Sequence, residues 1–119
     1  IELVLNKGVI GETYNIGGVN EWQNIDIVHL ICELVDGEFA ADSTLAARYP
    51  VSPCAKGESA KSLITYVTDR AGHDRRYAVG TEKIQSELGY RPQETFQTGI
   101  AKTIKWYLAN ESWWRPLKK

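Results

Sequence analysis

Apolar residues recur at helical spacing in two long segments of the chain. Between residues 25 and 36 they fall three or four positions apart, which is the period of one face of an α-helix. Asn24 precedes this segment as a candidate N-cap, and Asp36-Gly37 follows it as a candidate end. A second stripe predicts a final helix that begins after Thr95 and ends at about Asn110. The apolar positions are Ile27, Val28, Ile31, Leu34 and Val35 in the first helix and Ile100, Ile104, Tyr107 and Leu108 in the second.

Two shorter helices are predicted from the residues at their ends. Residues 1–8 are typical of the last turns of a helix, because an apolar pattern stops there at a glycine. Thr81 is a candidate cap for a helix that carries Ile84 and Leu88 on one face and ends before Gly89. The sequence contains no Met, so we expect a fragment whose first helix begins upstream.

β-prone residues predict three extended segments. Residues 12–16 form the first and end at Gly17-Gly18, residues 63–67 are a strand candidate, and residues 77–79 form a second short extended piece. The order of elements is strand, helix, strand, helix, helix, with too few strands for a closed sheet. We therefore expect an α/β lobe in which one or both strands complete a sheet supplied by residues outside this sequence.

The segment 38–61 interrupts this pattern. It mixes apolar and polar residues and contains Pro50, Pro53 and Gly57, so it is interpreted as a long loop or insertion with a short helix at 42–48. A loop of that length in a compact domain usually has a function or is mobile. The length of 119 residues fits one domain at most, so residues 1–119 are predicted to form one domain.

Composition and charge exclude several classes of protein. With 43% apolar and 24% charged residues, the chain matches a globular domain and not a disordered segment or a coiled coil. Fourteen basic and fifteen acidic residues give a net charge of −1, which excludes nucleic-acid binding through bulk charge. No apolar run approaches the ~20 residues of a membrane helix, and the first residues do not have the pattern expected of a signal or transit peptide. Cys32 and Cys54 lack a CxxC spacing, so a reducing, cytoplasmic location is expected.

The densest group of ionisable side chains lies in the loop 69–77, directly after a predicted strand. In α/β folds, the loop at the carboxyl end of a strand is where ligands bind. Arginine side chains suit a bidentate contact to phosphate, and Gly72 lets the backbone approach a ligand closely. The loop therefore predicts a diphosphate site. A solvated turn, in which the Asp and Arg side chains pair with each other, is the open alternative.

The segment 14–24 is a second candidate, because it also lies between a predicted strand and a helix. Asn20 and Asn24 could donate hydrogen bonds to phosphate or sugar oxygens near a helix N-terminus. Turn chemistry and helix capping are the alternative, and for Asn24 capping is the favoured single role.

Other chemistry is not indicated. Gly8 and Gly11 partly match a dinucleotide-binding glycine pattern, but they precede a predicted strand instead of following one. His73-Asp74 has no further ligand at a metal-site spacing, so no metal is predicted. No Ser-His-Asp set and no Tyr-x-x-x-Lys motif can be identified, and no catalytic residue is assigned.

Three groups of residues resemble the C-terminal part of the dTDP-glucose 4,6-dehydratase family, which belongs to the extended short-chain dehydrogenases/reductases. The Gly-His-Asp-Arg-Arg-Tyr block of residues 72–77 is the most specific, and the Tyr-Asn-Ile-Gly-Gly block of residues 14–18 is shared more widely. Gly-Tyr-Arg-Pro at residues 89–92 also fits. The resemblance covers nearly the whole chain outside 38–61, whose role stays open. Ala71 departs from it, because the family usually has Pro there, and this loosens the loop.

The resemblance implies a small C-terminal substrate-binding lobe without the Rossmann domain that precedes it in such enzymes. The complete enzymes use NAD to convert dTDP-glucose to dTDP-4-keto-6-deoxyglucose and water. Their NAD-binding loop and catalytic residues lie upstream, so the fragment is expected to be inactive and to bind no NAD. The expected partner is dTDP-glucose or dTDP, with no nucleic acid and no membrane. The full-length enzyme is expected to be a homodimer, and the fragment could self-associate.

The resemblance also implies roles for individual residues. Arg70 is expected to bind the diphosphate, Asn24 and His73 to contact nucleotide or phosphate, and Asn20 to be a weaker neighbour. The supporting residues, which hold the loop in place, are Asp69, Gly72, Asp74, Arg75, Arg76 and Tyr77.

Two other interpretations stay open. The lobe could come from a related nucleotide-sugar enzyme, such as a UDP-sugar decarboxylase or a GDP-mannose dehydratase. It could also be a non-catalytic module that binds nucleotide sugars or a protein. The block at residues 72–77 favours the dTDP-glucose enzyme.

Overall fold

The computed structural model describes residues 1–18, 20–74 and 76–118. Within these residues the regular structure is helical, and no residue is assigned to a β-strand. None of the helices that they form is both long and apolar enough to cross a membrane. The α-helices are α1 (Glu2–Lys7), α2 (Asn24–Ala41), α3 (Thr44–Arg48), α4 (Glu82–Leu88), α5 (Phe96–Ala109) and α6 (Glu111–Trp114). Single 3-10 turns lie at Cys54–Lys56, Ala60–Leu63 and Arg115–Leu117.

The chain divides into two compact units, each made of two stretches of sequence. The first unit consists of Ile1–Glu21 and Arg70–Phe96, and the second of Trp22–Asp69 and Gln97–Lys119. The expectation that residues 1–119 form one substrate-binding domain stays a prediction.

Helix α4 provides the buried side chains of the first unit. Ile84 is only 1% exposed and Leu88 is buried on the same face, as the sequence predicted. Thr81 is also buried, and its hydroxyl accepts a hydrogen bond of 2.6 Å from the Gln85 side chain. The helix ends at Gly89, whose φ of 72° lies in the left-handed region that favours glycine. The predicted positions of both ends of this helix are confirmed, but the Thr81 side chain makes no capping hydrogen bond to the backbone.

Helix α1 also belongs to the first unit, packs against α4 and ends at Gly8, which confirms the predicted helix end. The residues that follow it are tied to α4 by Tyr14. The Tyr14 hydroxyl donates to the Glu87 carboxylate over 3.1 Å and accepts from the Val9 amide over 3.2 Å. A side chain therefore holds this segment in place where a strand was predicted.

Helix α2 in the second unit is longer than the sequence predicted. It continues through Gly37 to Ala41, where the pattern indicated an end at residue 36. The Asp36 carboxylate accepts hydrogen bonds from the Ala60 amide at 2.8 Å and from the Ser59 hydroxyl. In the turn beyond Gly37, Glu38 pairs with Lys105 over 3.5 Å and the centre of the Phe39 ring lies 6.3 Å from that of Tyr49, which are contacts that local helix propensity does not include.

The segment 38–61 is built mostly of helical turns and is not one long loop. It contains the last turn of α2, the short helix α3 close to the predicted 42–48, and the 3-10 turn Cys54–Lys56. The buried residues of the second unit come from four different elements. They are Cys32, Leu45, Ala60 and Ile104.

The strand predicted at 63–67 is absent. Leu63 ends the 3-10 turn Ala60–Leu63, and Tyr66 and Val67 that follow are 81% and 82% exposed. A strand forms only when its backbone groups pair with a neighbouring strand. No such neighbour occurs among the described residues, and the same holds for 12–16 and 77–79. The helices expected of an α/β fold are therefore confirmed. The expected β-sheet is not found among the described residues.

Candidate functional site

The predicted site residues are divided between the two units. The second unit holds Asn24 and Asp69, and each of them is exposed. Arg75 lies outside the described residues. The first unit holds all the others, and each of these is exposed as well: Asn20, Arg70, Gly72, His73, Asp74, Arg76 and Tyr77.

The loop that carries Arg70 and His73 turns at Ala71 and Gly72. Gly72 has a φ of 73°, in the left-handed region, so a residue with a Cβ would be strained there. The glycine in the Gly-His-Asp block is therefore needed for the shape of the turn. With Ala at position 71, the backbone before this glycine keeps a freedom in φ that proline would remove.

The His73 ring is held by two neighbours in the loop. Its Nδ1 lies 2.7 Å from the Asp74 carbonyl oxygen. A carbonyl oxygen only accepts, so Nδ1 carries the hydrogen and donates it. The ring also meets the Tyr77 ring edge-on, with centroids 6.3 Å apart. A neutral ring then offers Nε2 as an acceptor, and a protonated ring offers Nε2–H as a donor to a phosphate oxygen.

An ion pair joins the two segments that the sequence singled out separately. The Arg76 guanidinium donates to the Glu21 carboxylate, across 55 positions of sequence. Glu21 directly follows Asn20, and Arg76 lies three residues after His73. The structure thus brings the segment of Asn20 beside the loop of His73 within the first unit. The partner of Arg76 lies outside the loop 69–77. This arginine therefore does not form the Asp–Arg pair within the loop that a solvated turn would have.

The same two stretches of chain also lie close together at Gly17, where a Cβ would make ordinary van der Waals contacts. A Cβ built at Gly17 would lie 3.5 Å from the Thr81 methyl group and 3.8 Å from the Val79 Cβ. The segment before Asn20 therefore runs next to the segment after Arg76. Two separate contacts, one of packing and one of charge, hold these stretches together.

A second ion pair also connects the two stretches, farther from the loop. Lys83 donates to the Glu12 carboxylate, and its Nζ lies 5.0 Å from the centre of the Tyr14 ring. The hydrogen bond from Lys83, and then its positive charge, lower the pKa of Glu12, and the same hydrogen bond raises the pKa of Lys83. Both side chains are about half exposed, so the pair contributes little to the free energy of unfolding.

Asn24 does not act as the predicted helix cap. Helix α2 already includes Asn24, and Gln23 is the capping residue, without a hydrogen bond from its side chain. The capping interpretation of Asn24 is therefore wrong. This result does not test whether Asn24 binds a ligand.

The glycines near the start of the chain do not form a dinucleotide-binding loop. Gly8 ends helix α1, and Gly11 lies in a turn that leads into an irregular segment. A dinucleotide-binding loop instead places its glycines between a strand and the N-terminus of a helix. These residues do not fit NAD, and no step involving NAD is assigned to them. In the described part of the chain, no three His, Cys, Asp or Glu side chains group as metal ligands would.

Comparison with known proteins links both segments to sugar-nucleotide enzymes. A family model described as GDP-mannose 4,6 dehydratase matches residues 2–103. A dTDP-glucose 4,6-dehydratase of Escherichia coli is 52% identical over 112 residues, which are 94% of this chain and 28% of the relative. The enzyme of the same name from Salmonella typhimurium is 48% identical over 113 residues, 95% of this chain and 27% of the relative. That of Xanthomonas campestris pv. campestris is 47% identical over 113 residues, 95% of this chain and 28% of the relative.

These figures define the extent of the similarity. Nearly the whole chain is aligned, including both segments of the candidate site. The chain spans about a quarter of the length of these curated relatives, as the shares of 26–28% show.

Proposed function

This chain belongs to the GDP-mannose 4,6 dehydratase family of extended short-chain dehydrogenases/reductases, and from that premise we propose that its first unit binds the diphosphate of a dTDP-sugar. The resemblance predicted from the motifs is confirmed at the level of the family. The observation that carries the proposal is the ion pair between Glu21 and Arg76. It places two segments with phosphate-binding residue types side by side.

The proposed ligand contacts come from three side chains of this unit. Arg70 binds the diphosphate through its guanidinium, whose fixed fork of donors matches two phosphate oxygens. His73 donates from Nε2 when its ring is protonated, and Asn20 donates from its amide to phosphate or sugar oxygens. The exposure of all three side chains supports this proposal, because a ligand can reach them.

The supporting residues keep the proposed contacts in place. Gly72 allows the turn, Asp74 holds the His73 ring through its carbonyl oxygen, and Tyr77 packs against that ring. Arg76 ties the loop to Glu21. Asn24, Asp69 and Arg75 enter the proposal from the resemblance alone.

The choice of dTDP over other nucleotides rests on the relatives. Those at 47–52% identity are named dTDP-glucose 4,6-dehydratases, whereas the family description names GDP-mannose. We propose that this chain is the substrate-binding lobe of a dTDP-glucose 4,6-dehydratase, which forms a 4-keto-6-deoxy sugar and water. When bound to the complete enzyme, NAD would supply the hydride-transfer chemistry, and no residue of this chain is assigned to hold it. The homodimer, the cytoplasmic location and self-association of the fragment stay predictions.

The decisive experiment is a calorimetric titration of this chain with dTDP, UDP and GDP. We expect dTDP to bind most tightly. The substitution Arg70→Ala is expected to weaken dTDP binding by about 1.5–3 kcal/mol, the range for a hydrogen bond to a charged group. Arg91→Ala is the matched control, because Arg91 is an exposed arginine of the same unit outside the loop.

Each part of the proposal has its own contrary result. Equal affinities for the three nucleotides would contradict the dTDP preference, and an effect of Arg91→Ala equal to that of Arg70→Ala would contradict the role of Arg70. The expected inactivity is tested separately with NAD and dTDP-glucose. Formation of a 4-keto sugar by this chain alone would show that catalytic residues are present in it.

A further inference from the structure

We infer that Glu21 is a positioning residue for nucleotide binding, which acts by holding Arg76 and so fixing the His73 loop beside Asn20. This inference rests on the proposed function of the first unit. Glu21 is not itself one of the proposed ligand-binding residues. Its carboxylate pairs with the Arg76 guanidinium, and each partner lies within three residues of a proposed ligand-binding side chain.

The order of this loop depends on polar contacts and not on a buried core. The described residues from 69 to 80 are all exposed, so burial of side chains does not fix their backbone. Ordering a flexible segment on binding costs conformational entropy and lowers affinity. A contact that orders the loop before the ligand arrives removes part of that cost. The Glu21–Arg76 pair is placed to do this, since Gly17 already lies against Val79 and Thr81 beyond the loop.

Charge alone predicts the opposite effect of removing Glu21. A carboxylate near a diphosphate repels it, so its loss should tighten binding of the anion. The same loss would release the positive charge of Arg76, which again favours the anion. Positioning predicts weaker binding, because the loop loses its constraint. The sign of the change therefore distinguishes the two effects.

The ion pair of Glu12 with Lys83 supplies a matched control. It joins the same two stretches of the first unit, and its side chains are also exposed. It lies beside Tyr14 and α4 instead of the His73 loop. A general loosening of the unit would affect both pairs alike, whereas positioning of the loop concerns Glu21 alone.

The test is a dTDP titration of the wild-type chain, Glu21→Gln, Glu12→Gln and the charge swap Glu21→Arg with Arg76→Glu. We expect Glu21→Gln to weaken dTDP binding about two- to fivefold, which corresponds to the upper range for an exposed ion pair. Glu12→Gln should leave the affinity unchanged. The charge swap should return it to within about twofold of wild type, a rescue that a repulsive role of Glu21 does not predict. Thermal unfolding of each variant measures any general loss of stability.

The outcomes separate this inference from the proposed function. A wild-type chain that does not bind dTDP would overturn the proposed function, and the role of Glu21 with it. If the wild-type chain binds dTDP and Glu21→Gln binds it equally well or more tightly, the positioning role of Glu21 is overturned and the proposed function stands. Equal weakening by Glu12→Gln would do the same. If the charge swap does not fold, the sign of the Glu21→Gln effect still decides.

Discussion

The two units of the chain are stabilised in different ways. In the second unit, buried residues come from four elements, and Asp36 ties helix α2 to the segment that contains Ser59 and Ala60. In the first unit, the buried residues are those of α4 and its cap, and the remaining described chain is largely exposed. Exposed ion pairs and one tyrosine hydroxyl connect its segments.

This difference matches the division of candidate function. Most of the proposed ligand-binding residues lie in the unit with the smaller core. Loops that bind ligands are commonly the less stable parts of a protein, because they carry polar side chains and exposed backbone. A few polar contacts must then provide the order that packing provides elsewhere.

Ile84→Ala is expected to have the largest effect on the first unit. Ile84 is its most buried side chain, and replacing such an isoleucine by alanine costs about 2–5 kcal/mol through lost burial and the cavity left behind. With so small a core, this loss should unfold the unit. Amide hydrogen exchange over Glu82–Leu88 measures it, and we expect protection there to disappear.

The matched substitution in the second unit is Ile104→Ala. Ile104 is buried in a unit whose buried residues come from four elements, so we expect the second unit to be weakened but to stay folded. Amide exchange over Asn24–Ala41 reports that outcome. If amide protection in the first unit persisted in Ile84→Ala, the core of the first unit would not depend on α4.

Asp36→Ala should have the next largest effect on stability, and this effect should be on the second unit. The Asp36 carboxylate accepts from the Ala60 amide at 2.8 Å, from the Ser59 hydroxyl and from the Cys54 thiol at 3.2 Å. Loss of these bonds should lower the free energy of unfolding by about 1–3 kcal/mol. All four tryptophans lie in this unit, so their fluorescence follows its unfolding in urea. Asp26→Ala, at the exposed first turn of α2, is the control, with an expected cost below about 1 kcal/mol.

Asp36 should also make the stability of the second unit depend on pH. The hydrogen bonds from the Ala60 amide, and then from Ser59, hold the pKa of Asp36 below its usual value. A carboxyl with a lowered folded-state pKa stabilises the fold above its unfolded pKa of about 3.9 and loses that contribution as pH falls below it. Urea midpoints at pH 7 and at about pH 3 should therefore differ less in Asp36→Asn than in wild type. If the urea midpoint changes equally between the two pH values in both proteins, Asp36 does not cause the acid sensitivity.

The smallest effect is expected from the Glu12–Lys83 pair. Glu12→Gln removes an exposed ion pair of the first unit, so the free energy of unfolding should fall by less than about 1 kcal/mol. Hydrogen exchange over α4 measures the change. A loss as large as that of Ile84→Ala would mean that charge, and not burial, stabilises the first unit.

Local sequence signals predicted several elements correctly. Gly8 ends α1, Gly89 ends α4, and α5 runs close to the predicted bounds. These ends depend on residue types within one or two helical turns. Helix α2 was predicted too short: it continues through Gly37, and its last turns contact residues more than twenty positions away in sequence, such as Ser59, Ala60 and Lys105.

The candidate site shows the same limit. The two segments were both identified from their residue types, but Glu21 was overlooked, although its charge is opposite to that of the arginine-rich loop. An acidic residue near a predicted phosphate site appears unfavourable when taken alone. Only its pairing with Arg76 explains its place there.

The sequence by itself determined the family, the positions of most helices and the two polar segments, because these follow from short patterns along the chain. The tertiary structure decided which segments meet: Glu21 with Arg76, and Asp36 with Ala60. It also left the predicted strands unpaired within the described residues. A helix satisfies most of its backbone hydrogen bonds locally and so can be predicted locally, whereas a strand or an ion pair between distant residues requires a partner that only the folded chain supplies.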